Sequence, residues 1–288
     1  MWSSGFIAAG LGTPVASTPT LMAWRFLFAA GLLLAVVLLL RRSWPGSGEV
    51  VVQGLIGLLA QGVYLIGVVG AIEFGVSAGT TALVAALQPL LAASLAGPIL
   101  GESVRARQWL GLTVGLAGVA LVVAEAVRGV PGTAGAPLWA YSMPFIGMSG
   151  LVAATLLERW SSSKARLEAL PGAYSETTLD VALAIQCATS ALFFSMLAFF
   201  WGGIEPTGGT RFWAAVSWWV VFSTFGGYGF YWLNLKFSSV TRVSSLVYLT
   251  PPTTMVWAYL MFGEGISSHA VVGLVVCFGG VLMASRGA

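Results

Sequence analysis

Polar and aromatic side chains recur inside long apolar stretches of this chain, where each needs a hydrogen-bonding partner. Gln61 and Tyr64 lie three residues apart, as do Tyr228 and Tyr231, so each pair shares one face of a helix. We expect these faces to line an amphipathic cavity that binds a small solute, with rings against its apolar parts and amides or hydroxyls against its polar parts. The predicted cavity residues are Arg25, Gln61, Tyr64, Gln88, Tyr228, Tyr231, Trp232, Asn234, Tyr248 and Trp257.

Arg25 is the charged residue of this set. If its helix begins near Pro19, the side chain lies roughly 9 Å along the helix. An intramembrane charge is costly and usually faces a protein interior. Two interpretations of Arg25 stay open: a contact to an anion or carboxylate, and a structural or snorkelling arginine near the outer surface. By contrast, Trp213, Trp218 and Trp219 fit packing against lipid in the aromatic belt.

The composition indicates the solvent in which these residues fold. Of the 288 residues, 58% are hydrophobic and 8% are charged, whereas a soluble domain carries about 25% charged residues. Such a chain cannot cover a water-facing surface, so we predict an all-α polytopic membrane protein with the lipid bilayer as a partner. The 13 Lys and Arg residues form no basic stripe, so we expect no nucleic-acid partner. Cys187 and Cys277 stand in apolar runs without metal-ligand neighbours, and we expect no metal and no cofactor.

The positions of the helices follow from the thickness of the membrane. A bilayer core of about 30 Å requires roughly 20 apolar residues per helix. Met1–Gly12 would be only about 18 Å long as a helix, so we expect a truncated first helix whose beginning lies upstream of Met1. Arg159–Asp180 is polar and is predicted to be a cytoplasmic linker. The predicted full spans are 18–40, 50–73, 77–99, 107–127, 138–158, 179–202, 212–235, 240–262 and 269–286.

One phrase occurs twice in the chain, as LQPLLAASLAGPILGE in Leu87–Glu102 and as LTPPTTMVWAYLMFGE in Leu249–Glu264. The match extends over Ser77–Val119 and Ser239–Val281, which are displaced by 162 residues. We therefore predict two repeats of five helices, 1–130 and 131–288. The spaced glycines Gly111 and Gly118 correspond to Gly273 and Gly280.

Two residue types in the repeated phrase have expected structural roles. Pro89, Pro251 and Pro252 remove helix hydrogen bonds inside the predicted spans, so we expect hinges or kinks there. Glu102 and Glu264 are expected to cap the ends of the repeats. If each half of the chain supplies one gate of a solute pathway, the repeated phrase marks the position of both gates.

An odd number of helices per repeat turns the second copy upside down in the membrane. If the amino end is cytoplasmic, Arg128 and Arg211 lie outside, and the other positive residues of the loops lie inside, as the positive-inside rule requires. Inverted repeats can open a site between them alternately to each side. The sequence therefore predicts a ten-helix inverted 5+5 repeat bundle with both ends in the cytoplasm.

These stretches resemble the two EamA-type domains of the drug/metabolite transporter superfamily. The resemblance covers nearly the whole chain and implies a ten-helix fold and secondary transport of small metabolites across the inner membrane, often export of amino acids. The short first helix departs from the family pattern. The matching stretches are WSSGFIAAGLG, WRFLFAAGLLL, ALQPLLAASLAGPILGE, GLTVGLAGVALV, LTPPTTMVWAYLMFGE and VGLVVCFGGVLM.

Other functions remain as alternatives. One is a facilitator or drug-efflux carrier of the same fold with a different solute, and another is a non-transporting receptor or assembly subunit. GVSAG at Gly75–Gly79 and GMSG at Gly147–Gly150 resemble serine-nucleophile motifs, but the single histidine, His269, lies in a short outer loop. We therefore expect no enzyme; the expected partner is a small solute, and the chain could act as a monomer.

Overall fold

The computed structural model describes residues 3–100, 106–128, 136–168, 177–201, 203–227 and 249–285. The regular elements of this described part are all helical, and we number them α1 to α10 along the chain. Several of them consist of consecutive segments, since α3 and α8 each include a π-helical stretch and α6 begins with a 3-10 turn. The helices are α1 (Ser4–Gly12), α2 (Thr18–Leu39), α3 (Ser47–Gly57, Leu58–Val63 and Tyr64–Glu73), α4 (Ala78–Ala85 and Gln88–Leu100), α5 (Ala106–Arg128), α6 (Leu138–Ser142 and Met143–Glu168), α7 (Leu179–Trp201), α8 (Gly209–Trp218 and Trp219–Gly227), α9 (Thr250–Phe262) and α10 (Ser268–Ser285).

The length and composition of the helices fit a bilayer. Four of them in the described part are long and apolar enough to cross a membrane, and shorter apolar helices lie in α4, α5 and α10. The prediction of an all-α polytopic membrane protein is confirmed. The four long spans are Thr18–Leu39, Ser47–Glu73, Leu138–Ser161 and Leu179–Trp201.

Helices of the first half pack against their counterparts in the second half. The helix α2 packs along α7, α4 contacts α9, and α5 packs along α10. The remaining pairs are reciprocal, because α3 packs on α6 while α8 packs on α1. Exchanging the two halves leaves the contacts α2–α7, α4–α9 and α5–α10 unchanged and converts α3–α6 into α8–α1, which is the pattern that a two-fold axis between the halves produces.

Glycines allow α5 and α10 to approach until their backbones touch. A Cβ atom on Gly118 would lie 2.6 Å from the carbonyl oxygen of Gly273, and one on Gly280 would lie 2.5 Å from that of Gly111. Since Gly111 corresponds to Gly273 in the repeat, and Gly118 to Gly280, these two contacts are equivalent. The repeat glycines thus mark where the two halves cross antiparallel to each other, as small residues do in membrane bundles.

Each proline lies in the first turn of a helical segment, and the segment with Pro89 follows a break in α4, so the expected hinges stay a prediction. Pro251 and Pro252 occupy the first turn of α9 after Leu249, where a missing N–H costs no helix hydrogen bond. Pro89 is the second residue of Gln88–Leu100, after the break in α4. The two halves therefore start a helical segment at the same point of the repeated phrase.

The predicted linker 159–180 includes a helical stretch. The helix α6 continues beyond the expected end of its span to Glu168, and α7 begins at Leu179. The stretch Arg159–Glu168 contains neither Gly nor Pro, so nothing in it stops the helix before Pro171. At the same end of the bundle, Arg42 Nε lies 2.7 Å from Asp180 Oδ2, which ties the end of α2 to the start of α7.

The helix α1 is the shortest of the ten that the structure describes. Ser4–Gly12 has 9 residues, roughly 14 Å at the usual rise. Its side chains Phe6 and Ile7 are nonetheless buried in the main core of the bundle. The helix α1 therefore contributes to the interior of the bundle, where the cavity described below lies.

Candidate solute-binding site

A cavity lies inside the bundle between α1, α2, α3, α6 and α8. Its volume is about 70 Å³. Most of its wall is aromatic and aliphatic, formed by side chains such as Phe6, Phe26, Leu65 and Val68. The polar side chains that line it are Arg25, Gln61, Tyr64, Ser223 and Thr224.

Arg25 is buried on this wall, with only 5% of its surface exposed. Its Nη2 donates to Thr224 Oγ1 over 3.4 Å. Its Cζ lies 4.9 Å from the ring centre of Phe26 and 5.9 Å from that of Trp219. Aromatic faces attract a guanidinium, so these contacts hold the cation at the cavity and do not let it snorkel to the surface.

The start of α2 is fixed at two points, which sets the position of Arg25. Ser17 caps the helix, its hydroxyl accepting from the backbone N–H of Thr20. The backbone N–H of Thr18 donates to Glu73 Oε2 over 2.8 Å. A carboxylate at a helix amino terminus is favourable for the helix dipole. The loop end of α3 thus anchors the helix that carries the guanidinium.

Gln61 and Tyr64 both line the cavity, from the same side of α3. Gln61 Oε1 accepts a hydrogen bond from Ser190 Oγ on α7 over 2.9 Å. Both side chains are buried, at 3% and 8% exposure. The spacing of three residues therefore places an amide and a phenol on one polar patch, opposite α8.

The π-helical segments of α3 and α8 lie at equivalent places and both reach the cavity. Gly150 of α6 packs on Leu59 and Val63, while Gly5 of α1 packs on the side chains of Trp219 and Ser223. Gly5 and Gly150 belong to the similar stretches SGFIAA and SGLVAA. Each half thus presents one π-helical turn, a feature often found at functional sites.

Trp219 corrects the expectation that this residue packs against lipid. Its side chain is 1% exposed, and its Nε1 donates to the carbonyl oxygen of Gly5 over 3.0 Å. Trp213, by contrast, is 37% exposed and packs edge-on against Trp24. Tryptophans of the same helix look alike in the sequence. The position of each one around the helix axis decides whether it faces α1, as Trp219 does, or the surface, as Trp213 does.

The other predicted cavity residues lie elsewhere or outside the described residues. Gln88 begins the second segment of α4 and is not on the cavity wall. Trp257 packs edge-on against Trp218, with ring centres 6.3 Å apart. Sequence reasoning missed Phe6, Ser223 and Thr224, which only the pairing of α1 with α8 brings to the wall. The predicted residues that lie outside the described residues are Tyr228, Tyr231, Trp232, Asn234 and Tyr248.

Glu264 links the two halves at one end of the bundle. Its carboxylate lies near the backbone N–H groups of Ala78 and Gly79 at the start of α4. Burial raises the pKa of Glu264, and these two N–H groups act in the opposite direction. Glu264 thus lies at the start of a helix of the other half, whereas Glu102, its counterpart, lies outside the described residues, and the capping role of both stays a prediction.

The residues of the serine-nucleophile motifs have structural partners. Ser77 caps α4, with its hydroxyl donating to Thr80 Oγ1 and accepting from the Thr80 N–H. Ser149 Oγ donates to the carbonyl oxygen of Phe145. His269 Nδ1 lies 3.1 Å from Glu125 Oε1. These contacts build helix ends and turns.

Comparison with known proteins identifies the family to which this chain belongs. The model of the EamA-like transporter family matches residues 1–124 and 174–286. A solved structure described as "Crystal structure of protein" shares the fold at 19% identity and a TM-score of 0.59, over 99% of this chain and 98% of that chain. No curated protein matches the chain. Since the family model covers most of the sequence in two regions, the chain belongs to the EamA-like transporter family and is a membrane transporter of the drug/metabolite type.

Proposed function

We propose that this chain is an alternating-access secondary transporter that exports amino acids or related small metabolites across the inner membrane, with both chain ends in the cytoplasm. The observation that carries the proposal is the cavity inside the bundle in which buried Arg25 lies with Gln61 and Tyr64 of α3 and Thr224 of α8. A guanidinium offers paired N–H donors that match a carboxylate. The amide and the phenol add hydrogen-bonding groups for the rest of a small polar solute.

The packing of the two halves supports alternating access. The cavity is bounded by α1 and α8 on one side and by α3 and α6 on the other, and these two pairs are equivalent under exchange of the halves. Rocking one pair relative to the other would open the cavity to one side of the membrane while closing it to the other. The glycine crossing of α5 and α10 supplies a close contact about which such a motion can turn.

The apolar share of the wall favours a second candidate, a facilitator or efflux carrier for solutes with a hydrophobic body. Phe6, Phe26 and Val68 line the cavity beside the polar patch. These side chains would accept the apolar body of such a solute. The two candidates use the same site. They differ in the solute and in whether its transport is coupled to an ion gradient.

Solute counterflow in proteoliposomes tests the proposal. Purified protein is reconstituted with an unlabelled solute inside, and uptake of a labelled panel of amino acids and hydrophobic amines is followed with and without a proton gradient. Saturable exchange of an amino acid supports the proposal, and exchange of amines alone supports the second candidate. If no compound exchanges, the result favours a non-transporting receptor or assembly subunit and overturns the proposal.

Two glutamines of α3 provide a matched pair of variants. Gln61 lines the cavity, whereas Gln53 is buried nearer the start of the helix and accepts a hydrogen bond from Gln186 Nε2 over 2.8 Å. We expect Gln61→Ala to lower the rate of exchange about fivefold or more, the size of one lost hydrogen bond, with normal membrane insertion. Gln53→Ala should exchange at the wild-type rate. Wild-type exchange by Gln61→Ala would contradict the assignment of this cavity.

A further inference from the structure

Ser190 of α7 is a buried hydroxyl that lies next to the cavity wall without forming part of it. Its exposed fraction is 0%, and it is not one of the residues that line the cavity. Its Oγ nevertheless donates to Gln61 Oε1 over 2.9 Å and lies 3.3 Å from the carbonyl oxygen of Gly57. One side chain of the second half thus contacts both the polar patch of the cavity and the backbone that carries this patch.

The two acceptors belong to the π-helical segment Leu58–Val63 of α3, since Gly57 precedes this segment and Gln61 lies inside it. A π-helical turn holds one residue more than an α-helical turn. One additional residue rotates every later side chain by about 100° around the helix axis, because an α-helix has 3.6 residues per turn. The π-helical segment therefore decides that Tyr64, directly after it, faces the cavity together with Gln61.

The backbone of α7 touches the start of this segment. A Cβ atom on Gly57 would lie 2.6 Å from the Cα of Gln186 and 2.7 Å from its carbonyl oxygen. Ser190 follows Gln186 by one turn of α7, and its Oγ lies 2.9 Å from the same carbonyl oxygen. The hydroxyl of Ser190 thus lies among the carbonyl oxygens of Gly57, Gln186 and the Gln61 amide, where α3 and α7 are in backbone contact.

The equivalent segment of α8 has a corresponding link. Arg25 belongs to α2, the counterpart of α7, and its Nη2 donates to Thr224 in the π-helical segment Trp219–Gly227 over 3.4 Å. Each π-helical segment is thus hydrogen-bonded by a helix of the other half. Both bonded side chains, Gln61 and Thr224, line the cavity. The repetition of this arrangement in the two halves indicates that these bonds belong to the construction of the site.

We propose that Ser190 is a positioning residue of the solute site. It holds Leu58–Val63 in its π-helical form and keeps the amide of Gln61 at the cavity, without touching the solute itself. In lipid no water replaces a lost partner of a buried polar group, so a hydroxyl between two helices is an effective link. This inference rests on the proposed transport function and adds to its site a residue from outside the cavity wall.

A double-mutant cycle in the counterflow assay tests whether Ser190 acts through Gln61. Ser190→Ala should raise the half-saturation concentration of the exchanged solute about threefold or more, the size of one hydrogen bond between membrane helices. Added to Gln61→Ala, it should cause no further rise. Thr189→Ala is the matched control and should match wild type, since Thr189 Oγ1 donates to the carbonyl oxygen of Ile185 in its own helix. An unchanged half-saturation concentration in Ser190→Ala, or the same rise with and without Gln61, overturns the inference and leaves the transport proposal standing.

Hydrogen exchange of the purified protein in detergent tests the positioning without any solute. Ser190→Ala should raise the amide exchange rate of peptides that cover Leu58–Val63 about threefold or more, and Thr189→Ala should leave it unchanged. Ser190→Cys keeps a weak donor, so it should lie between wild type and Ser190→Ala, and it takes the place of Ser190→Ala if that variant fails to fold. Exchange at the wild-type rate in the Ser190 variants overturns the inference. Faster amide exchange without transport of any solute overturns the transport proposal, while Ser190 remains the residue that positions Gln61.

Discussion

The backbone crossing of α5 and α10 makes a quantitative prediction for Gly118→Ala. The new Cβ would lie 2.6 Å from the carbonyl oxygen of Gly273 and 2.8 Å from the backbone nitrogen of Cys277. Ordinary van der Waals contact begins at 3.4 Å. The two helices must therefore separate by roughly 0.8 Å, a gap that forfeits a quarter to a half of the dispersion energy of each affected contact.

We expect this separation to lower the free energy of unfolding by about 1–3 kcal/mol, the usual cost of overpacking. Gly31 is the matched control, because it also lies in a helix but nothing approaches its Cβ position within 4 Å. Gly31→Ala should be neutral or stabilise by up to about 1 kcal/mol, because alanine loses less backbone entropy in a helix. Both substitutions add one methyl group. In Gly118→Ala this group clashes with the backbone of α10, and in Gly31→Ala it contacts no atom within 4 Å.

Equilibrium unfolding in mixed detergent micelles measures both variants. Gly280→Ala should cost about as much as Gly118→Ala, since its Cβ would lie 2.5 Å from the carbonyl oxygen of Gly111 in the equivalent contact. The double variant should cost less than the sum of the two, because one separation of the helices relieves both clashes. Equal stability of Gly118→Ala and Gly31→Ala would refute the close crossing, and strict additivity would show that one separation of the helices does not relieve both clashes.

Three further predictions concern polar contacts. Thr224→Val keeps the side-chain shape but removes the acceptor of the hydrogen bond from Arg25, so the free energy of unfolding should fall by about 1 kcal/mol; an unchanged value would contradict the contact. Glu264→Gln tests the buried carboxyl by melting curves at several pH values. Because the pKa of Glu264 is raised above 4.5 in the folded protein, the folded state binds the proton more tightly, so this group stabilises the fold below its ordinary pKa and loses that contribution as pH rises through the folded value. The melting temperature of wild type relative to Glu264→Gln should therefore be highest at low pH, and the opposite trend would contradict the burial. Asp180→Asn removes the partly exposed ion pair with Arg42, and its cost should be below about 1 kcal/mol and vanish in high salt; a large, salt-independent loss would show a structural role beyond charge.

Much of the fold could be predicted from the sequence because membrane helices follow local rules. The apolar run Thr18–Leu39 must form a helix, since every backbone polar group in lipid needs an internal partner. The stretch Arg159–Glu168 continues α6 because it contains no helix breaker, and polarity alone does not distinguish a helix outside the membrane from a loop. A proline inside an apolar run looks alike whether it follows a break in a span, as Pro89 does, or begins a helix.

The candidate site could be predicted only in part. Gln61 and Tyr64 share a helix face by spacing alone, and Arg25 stands out as a charge in an apolar run, so the sequence indicates these three. Trp219 and Thr224 reach the same cavity because α1 lies against α8. No local pattern encodes that contact, since both residues belong to an apolar helix whose orientation depends on its neighbours.

Hydropathy, chain length and self-similarity are properties of the chain alone, so the solvent, most of the helices and the correspondence of the repeat glycines could be predicted from the sequence. The folded bundle adds that Gly118 touches Gly273, that Glu264 lies at the start of a helix of the other half, and that Arg25 faces a cavity. The physical reason is that in lipid, where apolar surface is not a guide to burial, close packing and hydrogen bonds between helices set which face turns inward.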